Sequence, residues 1–247
     1  MTSIRAYHRP DTIEDALDLL TRPGSVPLGG GTVLNGLPTQ APTEVIDLQA
    51  LDLAHISLKG AVTSIGATAT LQMVVASDDV PPLLRDLAHR EAPNTIRNAA
   101  TIGGTVAAAE PESQLLAGLI AHGATISMIG PKGTEETELV NLLADRTMLD
   151  GRLITTIAVT VGASGFAARA GRTPGDTPIV MVAGVRDEEG VRLAATGVAA
   201  TPVPLDLDNV EALHPPADFR GSATYRRHLA AVLGARVMTE LSREDQR

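Results

Sequence analysis

Two runs of glycine mark this chain. Gly29-Gly30-Gly31 lies within Leu28-Gly29-Gly30-Gly31-Thr32-Val33-Leu34, and Gly103-Gly104 lies within Thr101-Ile102-Gly103-Gly104-Thr105. Glycine loses more freedom on folding than any other residue, so a run is kept where the backbone must turn through positive φ or approach something closely. Successive bare N–H groups make a concave anion site. A helix beginning near Thr32 would add its own free N–H groups. Phosphate is the chemistry such turns suit. Thr101 and Thr105 supply hydroxyls placed to donate to phosphate oxygens. Turns about seventy residues apart can hold opposite sides of one diphosphate, which suits a dinucleotide better than a mononucleotide. One glycine run alone is a weak signal, equally compatible with a tight turn that binds nothing. The Rossmann fingerprint fails, because its third glycine would fall on Leu34, and no Gly-Lys-Ser/Thr exists to make a P-loop.

These turns need elements to carry them. Asp11 or Thr12 can cap a helix whose apolar face is Ile13, Ala16, Leu17 and Leu20. Pro23-Gly24 stops it, and Ser25–Leu28 runs extended into the first turn. Val45–Leu48 is a further strand. Ile56–Leu58 and Val62–Gly66 flank a hairpin turn at Lys59-Gly60. Helical faces recur at Leu83, Leu84, Leu87, Ala88 and at Leu115, Leu116, Leu119, Ile120. Ala124–Ile129 and Leu153–Val161 alternate as strands. Gly162–Gly175, with little periodicity, reads as a boundary. Ile179–Val185 and Val191–Val198 are strands joined by a charged turn, and Ser222 caps a last helix with Tyr225, Leu229, Leu233 and Val237 on its apolar stripe.

Composition narrows the function. The 247 residues carry a net charge of −9 with no basic stripe, which argues against nucleic acid. Arg226-Arg227-His228 reads as a solvated helix face. There is no cysteine, so disulfides, a cysteine nucleophile and iron–sulfur clusters held by this chain are excluded. No apolar run is long enough to span a membrane and the N-terminus has no signal-peptide pattern; a soluble cytoplasmic protein is the expectation. The six histidines have no metal-ligand spacing, so no metal site is expected. His122, at a helix end, reads as a C-terminal cation or a surface residue. Glu110 and Glu112 read as a solvated pair, and Asp176 as a turn cap after Pro174-Gly175. No catalytic acid, base or nucleophile is expected.

At the glycine turns the sequence resembles the FAD-binding medium subunit of the molybdenum hydroxylases, the xanthine dehydrogenase and carbon monoxide dehydrogenase family. Tyr7-His8-Arg9-Pro10 and Ile13–Leu20 look like the family's aromatic-X-Arg-Pro opening and first helix. Gly29–Leu34 looks like its first FAD loop. Ile96–Gly104 matches its second loop, Ile-Arg-Asn-X-Ala-Thr-Ile-Gly-Gly, at every specified position. Ile65-Gly66-Ala67, Thr201-Pro202-Val203 and Tyr225–Leu229 fall where the family has similar words, so the resemblance spans nearly the whole chain. It implies an α+β fold: a vanillyl-alcohol-oxidase (PCMH)-type FAD-binding domain over residues 1–162, with subdomains of about 1–55 and 56–162, then a smaller α/β C-terminal domain over 163–247.

The resemblance also implies the chemistry. FAD would lie on this chain, its pyrophosphate on residues Leu28 to Leu34 and Thr101 to Thr105. Molybdopterin and two [2Fe–2S] clusters would lie on partners, a large and a small subunit of a hetero-oligomer. Electrons would pass through the clusters to FAD and on to an external acceptor. Three positions depart from the pattern. Thr105 stands where the family has Asn, and Gln114 where it has Asp after Ser113. Ala168 or Arg169 takes a family Lys/Arg place, depending on a one-residue shift; Arg169 is the candidate contact. Ile154 and Thr155 correspond to residues near the flavin ring. Gly103→Val and Gly30→Val are expected to abolish flavin retention and leave the fold largely intact. Two other readings remain: a flavin-free subunit that keeps the assembly's shape, and a stand-alone FAD oxidoreductase.

Overall fold

Hydroxyl side chains open the helices where the sequence places them. Thr12, Thr70, Thr101 and Ser113 each accept the N–H three residues on, and Ser222 accepts from Tyr225 N at 3.2 Å. A computed structural model describes residues 4–34, 43–162, 164–173 and 175–244. Ala163 and Pro174 of the expected boundary segment lie outside these residues.

The chain opens with β1 (Ile4–His8), α1 (Ile13–Leu20), β2 (Ser25–Leu28) and β3 (Thr43–Asp47), which form a parallel sheet of order β1-β3-β2. Every residue of β3 is buried, with Ile46 packed beside Ala16 of α1 and Leu48, Leu51 and Leu53 beyond it. The motif Tyr7-His8-Arg9-Pro10 is absorbed here. The Tyr7 hydroxyl donates to Asp47, and Arg5 and His8 reach Glu44. Arg5 beside Glu44 is the main cause that holds its carboxyl below the usual range.

Next come β4 (Ile56–Lys59) and β5 (Val62–Gly66), then α2 (Leu71–Ala76), α3 (Pro82–Glu91), α4 (Asn94–Arg97), α5 (Ile102–Ala108) and α6 (Gln114–Ala121). They are followed by β6 (Thr125–Gly130), β7 (Gly133–Glu138), α7 (Leu139–Ala144) and β8 (Leu153–Thr160). The strands form an antiparallel sheet of order β4-β5-β8-β6-β7. Every residue of α6 is buried. β7 has no apolar residue to give it away in sequence; its threonines and glutamates suit an exposed edge strand.

The last sheet has order β12-β11-β10-β9, from β9 (Ser164–Ala170), β10 (Val180–Asp187), β11 (Gly190–Thr196) and β12 (Val203–Pro204). It lies between α8 (Ala223–Glu244) on one face and α3 and α6 on the other. Both faces of β10 are therefore covered. Met181, Ala183 and Val185 enter the large core with α6, and Val180 and Val182 enter the core under α8.

Two sequence expectations are corrected here. Residues 164–170 form a strand, although the segment lacks alternation. Its alanines and glycine pack between the covering helices, so neither face is marked as outer. Arg226 is not solvated: it is 0% exposed. Its guanidinium donates to the carbonyls of Ile179 and Gly197 at 2.6 and 3.0 Å and to both carboxylate oxygens of Asp218 at 2.9 Å. A buried guanidinium survives only when paired in this way.

Candidate functional site: a cleft at the joined glycine loops

The two glycine loops touch. β2 ends at Leu28, whose carbonyl accepts Leu48 N at 3.0 Å, and the chain turns through Gly29 and Gly30 to Gly31 at φ 70°. A β-carbon on Gly29 would stand 2.5 Å from Thr101 Oγ1, and one on Gly30 would overlap the Ala99 carbonyl. Glycine is required because the Thr101 side chain occupies the space at Gly29 and the Ala99 backbone that at Gly30. Thr32 and Val33 form a turn.

The loops differ in what they offer. Among the described residues, no acceptor meets the N–H groups of Gly29, Gly30, Gly31 or Thr32. In the second loop the four N–H groups from Ile102 to Thr105 are engaged. Ile102 N donates to Ala69 O at 3.0 Å, Gly103 N to Ala67 O at 2.9 Å, Gly104 N to Thr101 Oγ1 at 3.1 Å and Thr105 N to Thr101 O at 2.9 Å. The Thr105 hydroxyl donates to Thr101 O at 3.1 Å. The expectation that both loops present amides to a diphosphate is thus corrected. Only the first has a run of successive free donors. The second is a capped helix start, stitched to residues 67–71, that makes the wall. Gly103 serves that stitch, since a β-carbon there would lie 2.7 Å from Ala67 O. Ile102 is buried core.

Three cavities run in series past this seam. An apolar slot of about 180 Å³ is lined by Ala67, Leu149, Leu153 and Ile154 together with Gly29, Gly103 and Gly104. A cleft of about 410 Å³ is lined by Leu28 to Leu34, Thr101, Gly104, Thr105, Glu91 and Glu110. The slot and the cleft share Gly29, Thr101, Gly104 and Ala107. A polar cavity of about 710 Å³ continues across Glu91, Ala92 and Glu110 to Gln114, Arg169 and Asp176. The expected site residues are therefore brought to one groove, but Ile154 lies at one end and Gln114 and Arg169 at the other. Ile154, expected near the ring, thus lies at the opposite end of the groove from Gln114 and Arg169. Thr155 turns away, its hydroxyl donating to Ser127 O.

Gln114 is 4% exposed; its amide N–H donates to Arg90 O at 3.3 Å, and its Oε1 is buried without a protein partner. Glu91 was not legible as a site residue. It ends α3, and only the fold brings it to the start of α6, where its carboxylate accepts Leu115 N at 2.9 Å. Burial raises its pKa above the usual value, against the hydrogen bonds of Ser113, Leu115 and Gln114. Glu112, expected to be solvated, is ion-paired with Arg220.

A further cavity, about 940 Å³, lies elsewhere and shares no residue with the loops. His122 lines it. That residue is 3% exposed, and burial pushes its pKa down to about 4, so it is neutral and not the helix-end cation expected. Its Nδ1–H donates to Gly118 O at 2.8 Å. Among the described residues no group of His, Asp and Glu is arranged to hold a metal, and no helix is long and apolar enough to cross a membrane.

A glycine-walled groove, with free amides at its centre and an apolar slot at one end, fits a protein that holds an extended dinucleotide. Residues 2–160 match the family of FAD-binding domains in molybdopterin dehydrogenases. The chain belongs to that family: it is an oxidoreductase subunit of molybdenum hydroxylase type with FAD as its cofactor. It is 31% identical to protein YgfM of Escherichia coli, over 94% of each chain. It is 30% identical to the carbon monoxide dehydrogenase medium chain of Afipia carboxidovorans, covering 92% of this chain and 93% of that one. A crystal structure of the Cu,Mo-CO dehydrogenase superposes with a TM-score of 0.86 at 27% identity, over 97% of this chain and 98% of that one.

Proposed function

We propose that this chain passes electrons from iron–sulfur clusters on a small partner subunit, through FAD, to an external acceptor. The molybdopterin centre would sit on a large subunit, and the assembly would work in the cytoplasm. One observation carries the reading: the free amides of Gly29 to Thr32 open onto a groove with a distinct cavity at each end. The chain has no cysteine, so any cluster that reduces its flavin must be held by another chain.

In this reading the residues hold and orient. The first-loop amides receive the pyrophosphate. The slot at Ala67, Leu149 and Ile154 encloses the flat, apolar adenine. The polar cavity takes the ring end, where the Gln114 Oε1 has an unmet hydrogen bond and Arg169 supplies a guanidinium. The flavin, when bound, supplies the change between one- and two-electron chemistry, and the protein supplies position and environment.

The test is purification of the native complex followed by flavin, molybdenum and iron analysis. Co-purification with a cysteine-rich chain and a large molybdopterin chain, with reduction of the flavin only when both are present, is the expected result. A chain that isolates alone and reduces its own flavin with a bound substrate would overturn the electron-transfer reading.

A further inference from the structure

The cleft that receives a diphosphate is lined by two carboxylates. Glu91 and Glu110 stand on the same wall as Gly29 to Thr32, and no Lys, Arg or His lines that cleft among the described residues. Arg152, which lines the slot, is already paired with Glu135, and Arg146 is spent on the Val106 and Ala107 carbonyls. A doubly charged diphosphate would therefore meet two further negative charges, in a partly enclosed site where charges are poorly screened. Backbone amides alone must hold it.

Glu91 and Glu110 are not equivalent. Glu91 is half-buried at the junction of the cleft and the polar cavity, while Glu110 is exposed. Burial and the neighbouring Glu110 both disfavour ionised Glu91. Opposing them are donors from α6: the Ser113 hydroxyl and the Leu115 and Gln114 amides. From α4, Arg97 faces α3 but donates to the His89 and Ala92 carbonyls, not to Glu91. Across the polar cavity stand Arg169, Asp176 and Glu112, the last paired with Arg220. Within α3, Arg90 pairs with Asp86. Among the described residues, no cation in contact with Glu91 offsets an arriving anion.

We infer that FAD binding is linked to proton uptake, with Glu91 as the group that takes the proton. The inference rests on the FAD site proposed above. Bound diphosphate raises the affinity of Glu91 for a proton, and the protonated acid lowers the negative charge of the cleft by one. Leu115 N keeps its acceptor, because a carboxylic acid retains a carbonyl oxygen. By linkage, FAD must then bind more weakly as pH rises past the point where ligand-free Glu91 loses its proton.

Full-length chain stripped of flavin is titrated with FAD across pH, with flavin fluorescence as readout, beside Glu91→Gln and Glu110→Gln. Proton uptake is read by calorimetry in buffers of different ionisation heat. In the wild type, Kd should rise by up to about tenfold per pH unit on the alkaline side, with close to one proton taken up. Glu91→Gln should remove both effects and bind FAD more tightly than wild type at high pH. Glu110→Gln should retain the linkage. Persistence of uptake in Glu91→Gln, its loss in Glu110→Gln, or a pH-independent wild-type Kd would overturn the inference and leave the FAD site standing. Failure of the wild type to bind FAD at any pH would overturn the site as well.

Discussion

Gly29 abuts Thr101: the space a β-carbon on Gly29 would need is taken by the threonine Oγ1, 2.5 Å away. The loops are thus one packed seam, with the N–H groups of Gly29 to Thr32 free and those of Ile102 to Thr105 consumed in folding. Glycines at the seam then have two different jobs, separable by mutation.

Gly30→Val drives a side chain into the Ala99 carbonyl, and Gly103→Val drives one into Ala67. The first should part the loops at Ala99 and Ala100, and the second should break the stitch to residues 67–71. Overpacking of this kind costs about 1–3 kcal/mol. Gly104→Val differs, because within 4 Å its new carbon meets only Thr101 Oγ1, at 2.9 Å. Its side chain projects where slot and cleft join. Gly104→Val should lose flavin absorbance while keeping its melting temperature within a few degrees of flavin-free wild type. Gly30→Val and Gly103→Val should lose both. Equal melting temperatures in all three would refute the division.

How far sequence reaches is clear from particular residues. Thr12 and Ser222 announce their helices because capping is local chemistry within three residues. The glycine loops are legible because no other residue fits there. Glu91 is not, because its partner Leu115 is 24 residues away and only α3 packed on α6 joins them. Arg226 and His122 look like surface residues for the same reason: their burial depends on Asp218 and on β11 folding over them. The used amides of the second loop are equally invisible, since their acceptors Ala67 and Ala69 are ordinary alanines whose carbonyls the fold happens to present.

His122 predicts a pH effect on stability. Its folded pKa of about 4 lies below the ordinary value of 6.5. Between these values the unfolded chain binds a proton that the folded chain refuses. Stability is therefore full above about pH 6.5 and falls with pH down to about 4, by about 3 kcal/mol in all. His122→Asn keeps an N–H for the Gly118 carbonyl but does not titrate. Melting curves across that range should show a shallower acid decline for the variant; parallel declines would show that His122 is not the group responsible.

Asp218 holds Arg226 in the core, and the guanidinium depresses the Asp218 carboxyl pKa. A depressed carboxylate stabilises above its unfolded pKa, near 3.9, and that contribution is lost as pH falls through the folded value. Asp218→Asn leaves a buried cation without its counter-charge. Its melting temperature should lie several degrees below wild type at neutral pH, and the gap should close in strong acid. A gap constant down to the acid limit would mean that the pair's charge contributes nothing.

The slot beside Ile154 predicts cofactor selectivity. It is small, about 180 Å³, and mainly apolar, whereas the cavity at the opposite end of the groove is about 710 Å³ and polar. If the slot holds adenine, filling it should harm only ligands that carry adenine. Ala107 is exposed on α5 and lines both the slot and the cleft, so Ala107→Phe can enter the slot without displacing core. FAD affinity should fall about tenfold or more, or about 1.4 kcal/mol. Binding of FMN, which has the ring and a phosphate but no adenine, should change by less than about twofold by the same measure. Flavin fluorescence titrations of both ligands against both proteins decide it. An equal fall for FAD and FMN would place the ring, not the purine, beside Ile154, and would reverse the cofactor along the groove.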